Sequence, residues 1–286
     1  MAELIPNRFR GSVTGERRVY HRLQDGLPMG VGTDVRPRTS IVVPCYNAET
    51  FIASSLERLE AYVGARPEVF GRTELIVVDD GSSDRTSEVV SLKFPGATLV
   101  RHAHNRGKGA AVRAGMLAAT GSFVFFVDAD VPFALPAFER MLDYLDRKDF
   151  DVCIGTRPGR RDASAAQPRL ARRLASAIFT ELVSRLVVTG VRDTQCGLKG
   201  FRADAARYLF SQSCVDNFAF DVEILYLAFK NDFDLKRVAV RLEVNERSSV
   251  SLLRHAGPML AQILMLPLRY HTRRYALLDS TRGESQ

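Results

Sequence analysis

The chain has 286 residues, of which 46% are hydrophobic and 26% charged, and these values are ordinary for a folded globular protein. Its formal net charge is +7 and its pI is about 9.4, which favours an anionic partner: nucleotide phosphates, an anionic membrane or nucleic acid. The four cysteines are scattered without a CxxC pair, which argues against a disulfide framework or a zinc site and predicts a reducing, cytoplasmic compartment.

The composition of the sequence changes twice along the chain. Residues 1–38 are polar and rich in arginine, which predicts an extension that is either disordered or wrapped on the domain. Residues 39–251 alternate short apolar runs with amphipathic stretches and predict one α/β domain. Residues 252–286 mix leucines with arginines, so this tail could lie in a membrane interface or pack on the domain. No apolar run is long enough to span a bilayer, and no signal-peptide core follows Met1.

A pair of carboxylates follows the second of the first two predicted strands. These strands cover Ser40–Pro44 and Leu75–Val78, and both are apolar runs without a helical period. Asp79 and Asp80 end the second strand, and Gly81 allows a tight turn after them. The two aspartates are suited either to capping the next helix or to accepting hydrogen bonds from a ribose or a base edge. We expect them at the sheet edge where open α/β sheets bind their ligands.

A glycine-rich turn follows the third predicted strand, which begins at Leu99. The turn is NRGKG at residues 105–109, and its glycines free the backbone before a helix opens. Lys108 is a mobile cation in this turn and is suited to a phosphate. The spacing lacks the GxxxxGK[ST] pattern, which excludes a P-loop.

The clearest strand pattern, Phe123–Val127, is followed by Asp128, Ala129 and Asp130. An apolar run this rich in aromatic and β-branched residues predicts a strand that is buried on both faces. Two carboxylates one residue apart at its carboxyl end are suited to Mg²⁺ or Mn²⁺ held jointly with the phosphates of a substrate. An Asp-x-Asp pattern is common by chance, and by itself it is equally compatible with an acidic turn.

The next part of the chain is predicted to form a strand, a loop and a helix. A predicted strand at residues 151–156 is followed by Arg157, and residues 158–168 have the composition of a mobile loop, the kind that often forms a lid. Residues 169–188 carry apolar side chains on one stripe, which predicts an amphipathic helix.

Two later segments carry polar groups in apolar surroundings. The first is DTQCGLKGFR at residues 193–202, and the second is FAFDVEIL at residues 218–225. Asp221 lies in the second segment, which heads an apolar helix, and its carboxylate could simply complement the positive end of that helix. A further strand is predicted to begin at Val238.

The ordered set of motifs resembles that of the family 2 glycosyltransferases, whose nucleotide-sugar-binding fold is called GT-A. The motifs are VVPCYNAET, VVDDGSSD, NRGKGAAVR, FVDAD, GTR, DTQCGLKGF and FDVEI. The resemblance covers about residues 39–251 and is greatest to the dolichyl-phosphate or polyprenyl-phosphate glucosyl and mannosyl synthases. It implies a Rossmann-like α/β fold with a mostly parallel central sheet flanked by helices.

The resemblance also implies roles for the motif residues. The nucleoside of the donor would be held by residues at the ends of the first two strands: Pro44, Tyr46, Asn47, Glu49, Asp79 and Asp80. The diphosphate would be held by Lys108, Asp128, Ala129 and Asp130, and the two aspartates of this set would bind the metal. An acceptor phosphate would be bound by Arg157, Arg202 and Arg247, and the family's candidate base corresponds to Asp193.

The acceptor decides whether a base is needed. The family inverts the anomeric carbon, which implies direct displacement by the acceptor. A phosphate monoester has a second pKa of about 6 and is largely deprotonated at neutral pH, so it needs no base. A hydroxyl acceptor needs a carboxylate to take its proton, with Asp193 as the first candidate and Asp221 as the second. The arginines near these motifs favour the phosphate acceptor.

We therefore expect a metal-dependent transfer of a hexose, with UDP-glucose favoured as donor, to a polyprenyl or dolichyl phosphate at the cytoplasmic face of a membrane. Peripheral membrane contact and a membrane-spanning partner subunit are compatible with this expectation. Two alternatives remain open: a glycosyltransferase with a hydroxyl acceptor, and an inactive GT-A domain that acts as a binding subunit. Nucleic acid is not expected as a partner, because only the net charge favours it and no motif of stacking aromatic residues is present.

Overall fold

The computed structural model describes residues 38–157, 196–243, 261–270 and 272. The strands of this part of the chain are β1 (Thr39–Cys45), β2 (Thr73–Asp79), β3 (Thr98–Arg101), β4 (Phe123–Val127), β5 (Val152–Thr156), β6 (Leu198–Arg202) and β7 (Leu235–Ala239). The helices are α1 (Ile52–Gly64), α2 (Pro67–Phe70), α3 (Thr86–Lys93), α4 (Lys108–Ala118), α5 (Pro136–Asp146), α6 (Ala203–Gln212) and α7 (Phe220–Lys230). Residues 261–270 are also helical, with a turn at 265. None of the helices described is long and apolar enough to cross a bilayer.

The seven strands form one sheet in the order β3-β2-β1-β4-β6-β5-β7. All neighbouring strands are parallel except β6, which runs antiparallel to both β4 and β5. The predicted α/β class with a mostly parallel sheet is therefore confirmed. Because β6 runs the other way, its amino end meets the carboxyl end of β4, and Val127 pairs with Leu198.

The sheet is buried on both faces, as the apolar runs predict. Every residue of β4 is buried, and alternate residues pack into two different cores. Phe126 packs with α4, α6 and α7 on one face, where Phe201 and Phe220 are its aromatic neighbours. Phe125 packs on the other face with α5, where Phe138 lies against it. Helices on both faces thus force the polar chemistry of this domain to the edges of the sheet.

Several predicted boundaries are corrected by the structure. The strand expected to begin at Val238 is β7, which runs from Leu235 to Ala239. Helix α3 begins at Thr86, so Asp84 precedes the helix and accepts a hydrogen bond from the Thr86 amide. Strand β6 and helix α6 had no predicted counterpart.

Other predictions concern residues outside those described. They are the extension at 1–37, the loop at 158–168, the amphipathic helix at 169–188 and most of the tail after 252. Strand β1 starts at Thr39, but the domain boundaries at 39 and 251 stay predictions because the chain on their far sides is not described.

A glycine-to-alanine pair tests how closely helix α4 approaches the sheet. A Cβ at Gly115 would lie 2.3 Å from Val42 Cγ1 and 2.9 Å from Val78 Cγ2. Alanine normally gains about 1 kcal/mol over glycine inside a helix, but overpacking a core costs about 1–3 kcal/mol. We expect Gly115→Ala to lower the free energy of unfolding in denaturant titrations. Gly64→Ala is the control, because a Cβ there meets nothing within 4 Å; equal stability of the two variants would contradict the close approach.

Candidate active site

Asp128 and Asp130 lie in a tight turn at the carboxyl end of β4. The Asp128 amide donates to the Gly197 carbonyl at 2.9 Å, and the Val131 amide donates to the Asp128 carbonyl at 2.9 Å. Val131 has a φ of 39°, which is unusual for a β-branched residue and marks a strained turn. The segment before β6 therefore fixes the backbone from which the first aspartate projects.

Gly197 leaves the space that the Asp128 side chain occupies. A Cβ at position 197 would lie 1.8 Å from Asp128 Oδ2 and 2.1 Å from its Cγ, so any other residue would displace the carboxylate. The neighbouring strand β5 also approaches this segment closely, because a Cβ at Gly155 would lie 2.7 Å from Cys196 Sγ. Gly155 on β5 and Gly197 just before β6 thus let the chain before β6 pass beside Asp128.

Lys108 supplies the cation that faces Asp128. It is the first residue of α4, after Gly107, whose φ of 103° is open only to glycine at no cost. Its Nζ lies 2.6 Å from Asp128 Oδ1. Burial opposes the charge of Lys108, but attraction to Asp128, Asp221 and Asp130 outweighs burial and raises the pKa of the ammonium group. Lys108 is thus a protonated cation at neutral pH, as the sequence predicts.

A second lysine, Lys199, lies near the Lys108 and Asp128 pair, and the sequence analysis did not assign it a role. Lys199 is on β6 and is fully buried. Its Nζ donates to the Asp221 carboxylate at 2.5 Å and to the Cys196 carbonyl at 2.9 Å, and it lies 5.1 Å from the centre of the Phe126 ring. The available signal was a lysine between apolar residues in the segment at 193–202.

Asp221 is in a position that does not suit a general base. Only 3% of its side chain is exposed, and Lys199 occupies one of its oxygens. Burial raises its pKa, while Lys199 and Lys108 oppose that shift. A proton acceptor must be within hydrogen-bond reach of the acceptor hydroxyl, and this carboxylate is enclosed by protein. The structure therefore argues against the predicted catalytic role of Asp221. It places this carboxylate in a charge cluster made up of Lys108, Lys199, Asp128, Asp130 and Asp221.

Asp79 and Asp80 are bound by the protein itself. Asp80 Oδ1 contacts His102 Nδ1 at 2.7 Å and accepts from the Arg106 amide at 3.0 Å, and its Oδ2 accepts from the Gly107 amide at 2.8 Å. Asp79 is completely buried and accepts from the Ser82 amide at 2.9 Å. Neither carboxylate caps helix α3, as one of the two alternatives predicted. Both instead order loops at this edge, with Asp80 fixing the turn that carries Lys108, and donor binding by this pair stays a prediction.

The loop after β1 is fastened to the loop after β2. Asn47 Oδ1 accepts from the Ser83 amide at 2.9 Å, and Glu49 Oε2 accepts from the Arg85 amide at 2.8 Å. Both predicted donor-binding residues therefore have structural bonds.

Two predicted donor-binding residues in this loop differ in exposure. Pro44 is buried within β1, whereas Tyr46, which follows the carboxyl end of β1, is 50% exposed.

The predicted acceptor arginines do not lie together. Arg157 directly follows β5 at the edge that carries Asp128. Arg202 pairs with Phe123 at the opposite end of β4, where its guanidinium donates to the Leu145 carbonyl at 2.9 Å. Because the length of β4 separates it from the aspartates, the acceptor-binding prediction for Arg202 is at odds with the structure. Asp193 and Arg247 are outside the described residues, and their roles stay predictions.

The aspartate pair fits a cation shared with a phosphorylated ligand. Among the described residues, no cluster of three or more histidine, cysteine, aspartate or glutamate side chains could hold a metal alone. Magnesium is commonly held by one or two carboxylates together with substrate phosphates and water, so Asp128 and Asp130 suit it or Mn²⁺. Asp128 Oδ1 is buried and lies against the Lys108 ammonium group, so this oxygen already faces a cation.

Comparisons with known proteins agree with this geometry. A model described as Glycosyl transferase family 2 matches residues 40–210. The dolichyl-phosphate beta-glucosyltransferase of Homo sapiens is 34% identical over 248 residues, which cover 82% of this chain and 76% of that protein. The Dictyostelium discoideum protein of the same description is 31% identical over 242 residues, 81% of this chain and 74% of that one.

Solved structures show the same fold at lower identity. Mannosyl-3-phosphoglycerate synthase from Rubrobacter xylanophilus gives a TM-score of 0.61 at 17% identity, covering 83% of this chain and 75% of that one. Glucosyl-3-phosphoglycerate synthase from Mycobacterium tuberculosis, solved with Mn²⁺, uridine diphosphate and glucosyl-3-phosphoglycerate, gives 0.54 at 21% identity, covering 81% and 79%.

The strand order, the solved structures and the match to the family model thus define a glycosyltransferase of the GT-A fold. The match over residues 40–210 and the similarity to the dolichyl-phosphate beta-glucosyltransferases show that the chain belongs to glycosyl transferase family 2. The resemblance seen in the motifs is confirmed.

Gly197→Ala tests whether the space beside Asp128 is needed. Because the added methyl group would overlap the carboxylate, we expect affinity for Mn²⁺ in the presence of UDP to fall about 10- to 100-fold, the usual cost of disturbing a ligand's support. Titration calorimetry measures this directly. Gly96→Ala is the control, since a Cβ there meets nothing within 4 Å. Wild-type affinity in Gly197→Ala would show that Asp128 is not a ligand in the position described.

Proposed function

We propose that the protein is an inverting, metal-dependent glucosyltransferase that moves glucose from UDP-glucose to a polyprenyl or dolichyl phosphate. The observation that carries the proposal is the Asp128 and Lys108 pair at the ligand-binding edge, in a chain 34% identical to a dolichyl-phosphate beta-glucosyltransferase over most of its length. The intact charge cluster argues against the alternative of an inactive binding domain.

The proposed roles of the donor-binding residues follow from the negative charge on the leaving group. Breaking the glycosidic bond leaves negative charge on the departing nucleoside diphosphate, so fixed positive charge lowers the barrier. A divalent ion held by Asp128 and Asp130 supplies part of that charge when it is bound. Lys108, at the amino end of α4, supplies another part together with the helix dipole. Tyr46 offers the nucleoside an exposed aromatic face at the end of β1.

The acceptor half favours a phosphate nucleophile. A phosphate monoester is largely deprotonated at neutral pH and can attack the anomeric carbon without a base. This agrees with Asp221, which is enclosed with Lys199 and out of an acceptor's reach. Arg157, at the same edge, is suited to bind the acceptor phosphate. A hydroxyl acceptor would require Asp193 as its base and remains the second candidate.

The proposed place of action is the cytoplasmic face of a membrane, with peripheral contact. The helical segment at 261–270 buries Ile263 and Leu266 in the core and exposes Leu264, Met265 and Leu268. Exposed apolar side chains on a helix with nearby arginines are typical of helices that lie in a membrane interface. A membrane-spanning partner subunit is compatible with this placement.

Asp130→Asn tests the reaction. We expect it to lower the transfer of labelled glucose from UDP-glucose to a short polyprenyl phosphate by about 10²-fold or more, because an amide is a poor ligand for a divalent ion. Transfer is measured with Mn²⁺, with Mg²⁺ and with neither. Asp149→Asn is the control, because Asp149 is at the opposite edge with a φ of 52°, which asparagine tolerates equally well.

The outcomes distinguish the alternatives. Near-normal turnover of Asp130→Asn would remove its metal role. Metal-dependent hydrolysis of UDP-glucose by the wild-type protein, without labelling of the lipid, would favour a hydroxyl acceptor. Labelling from GDP-mannose or UDP-N-acetylhexosamines in place of UDP-glucose would overturn the choice of donor.

The double variant Leu264→Ser/Leu268→Ser tests the membrane contact. Each fully buried leucine contributes about 1.5–3 kcal/mol of transfer free energy, so we expect at least tenfold weaker binding to anionic vesicles in a sedimentation assay. Leu92→Ser is the control, because Leu92 is 73% exposed on α3, on another part of the surface. Unchanged vesicle binding would return the segment at 261–270 to a purely structural role.

A further inference from the structure

Lys199 connects two parts of the active-site edge without being exposed to it. It lies on β6 opposite Phe126, and no part of its side chain reaches solvent. A buried ammonium group is costly unless all its partners are present. Its partners here are the Asp221 carboxylate at 2.5 Å, the Cys196 carbonyl at 2.9 Å and the face of the Phe126 ring.

The first connection runs through Asp221 to Lys108. Asp221 is close enough to Lys108 for their attraction to raise the pKa of Lys108, and Lys108 in turn lies 2.6 Å from Asp128. Without Lys199, Asp221 would be a buried carboxylate near Asp128, whose negative charge already disfavours the ionised form of Asp221. Lys199 therefore allows these two carboxylates to stay close together.

The second connection runs through the backbone before β6. The Cys196 carbonyl that Lys199 binds belongs to the residue before Gly197. Gly197 accepts the hydrogen bond of the Asp128 amide and provides the space for the Asp128 side chain. Lys199 thus fixes the backbone next to Gly197, and Gly197 in turn fixes the position of Asp128.

We propose that Lys199, together with Asp221, is a positioning pair that sets the geometry of Asp128 and Lys108 for the donor diphosphate. This inference rests on the proposed function for its consequence in catalysis, but its geometric part is measurable without any ligand. A buried ion pair replaced by apolar residues is often neutral or stabilising, so fold and positioning can be separated.

The test is the double variant Lys199→Met/Asp221→Val. We expect its melting temperature to stay within about 3 °C of wild type. Hydrogen exchange of the Asp128 amide should become about tenfold faster, because its acceptor is no longer held. Affinity for Mn²⁺ in the presence of UDP should fall about tenfold, with a matching fall in kcat and little change in the KM of the lipid. Lys236→Met is the matched control, a lysine over the Tyr144 ring of the same domain.

A second variant covers the case in which the double variant does not fold. Asp221→Asn keeps an oxygen for Lys199 and removes only the charge, so the same readouts should change in the same direction by about threefold. Exchange and Mn²⁺ affinity equal to wild type in a folded variant would overturn the proposal. Failure of the wild-type protein to label any prenyl phosphate would instead overturn the proposed function, while the exchange result would still decide the positioning role.

Discussion

The approach of the Asp128 carboxylate to the chain at Gly197 is the constraint on which the active-site edge depends. The carboxylate follows five buried strand residues and fills the space that a Cβ at Gly197 would need. A cation beside it stabilises this partly buried carboxylate, and Lys108 provides one at 2.6 Å. Because β6 runs antiparallel to β4, its amino end brings Gly197 to the carboxyl end of β4, beside Asp128.

Carboxylates at this edge divide into two kinds according to what surrounds them. Asp80 is surrounded by backbone amides and His102, so both of its oxygens are occupied by contacts that order the turn before α4. Asp128 faces Lys108 instead, and this partly exposed lysine can also bind an incoming anion. An aspartate at this edge therefore orders the fold where backbone amides surround it and is available for chemistry where an accessible ammonium group faces it.

Features of the fold and site that depend on residues close together in sequence could be predicted, whereas those that depend on residues far apart in sequence could not. The buried strands, the aspartate pair and Lys108 were predicted, because apolar runs and a glycine-rich turn are local signals. Strand β6 was not predicted, since GLKGF lacks the continuous apolar pattern of its neighbours. The position of Arg202 and the pairing of Lys199 with Asp221 depend on contacts between residues far apart in sequence. A spacing rule contains no information on such contacts, so the enclosure of Asp221 was not foreseen.

The charges of the cluster themselves favour a divalent ion. Three carboxylates, Asp128, Asp130 and Asp221, are grouped with two ammonium groups, Lys108 and Lys199, so this cluster carries one net negative charge when all five groups are ionised. Such a site repels a nucleoside diphosphate unless a cation of higher charge is added, and a divalent ion reverses the sign. An acceptor phosphate brings further negative charge against the same edge. In the proposed reaction it therefore needs cations outside the cluster, and Arg157, which follows β5, is placed to be one of them.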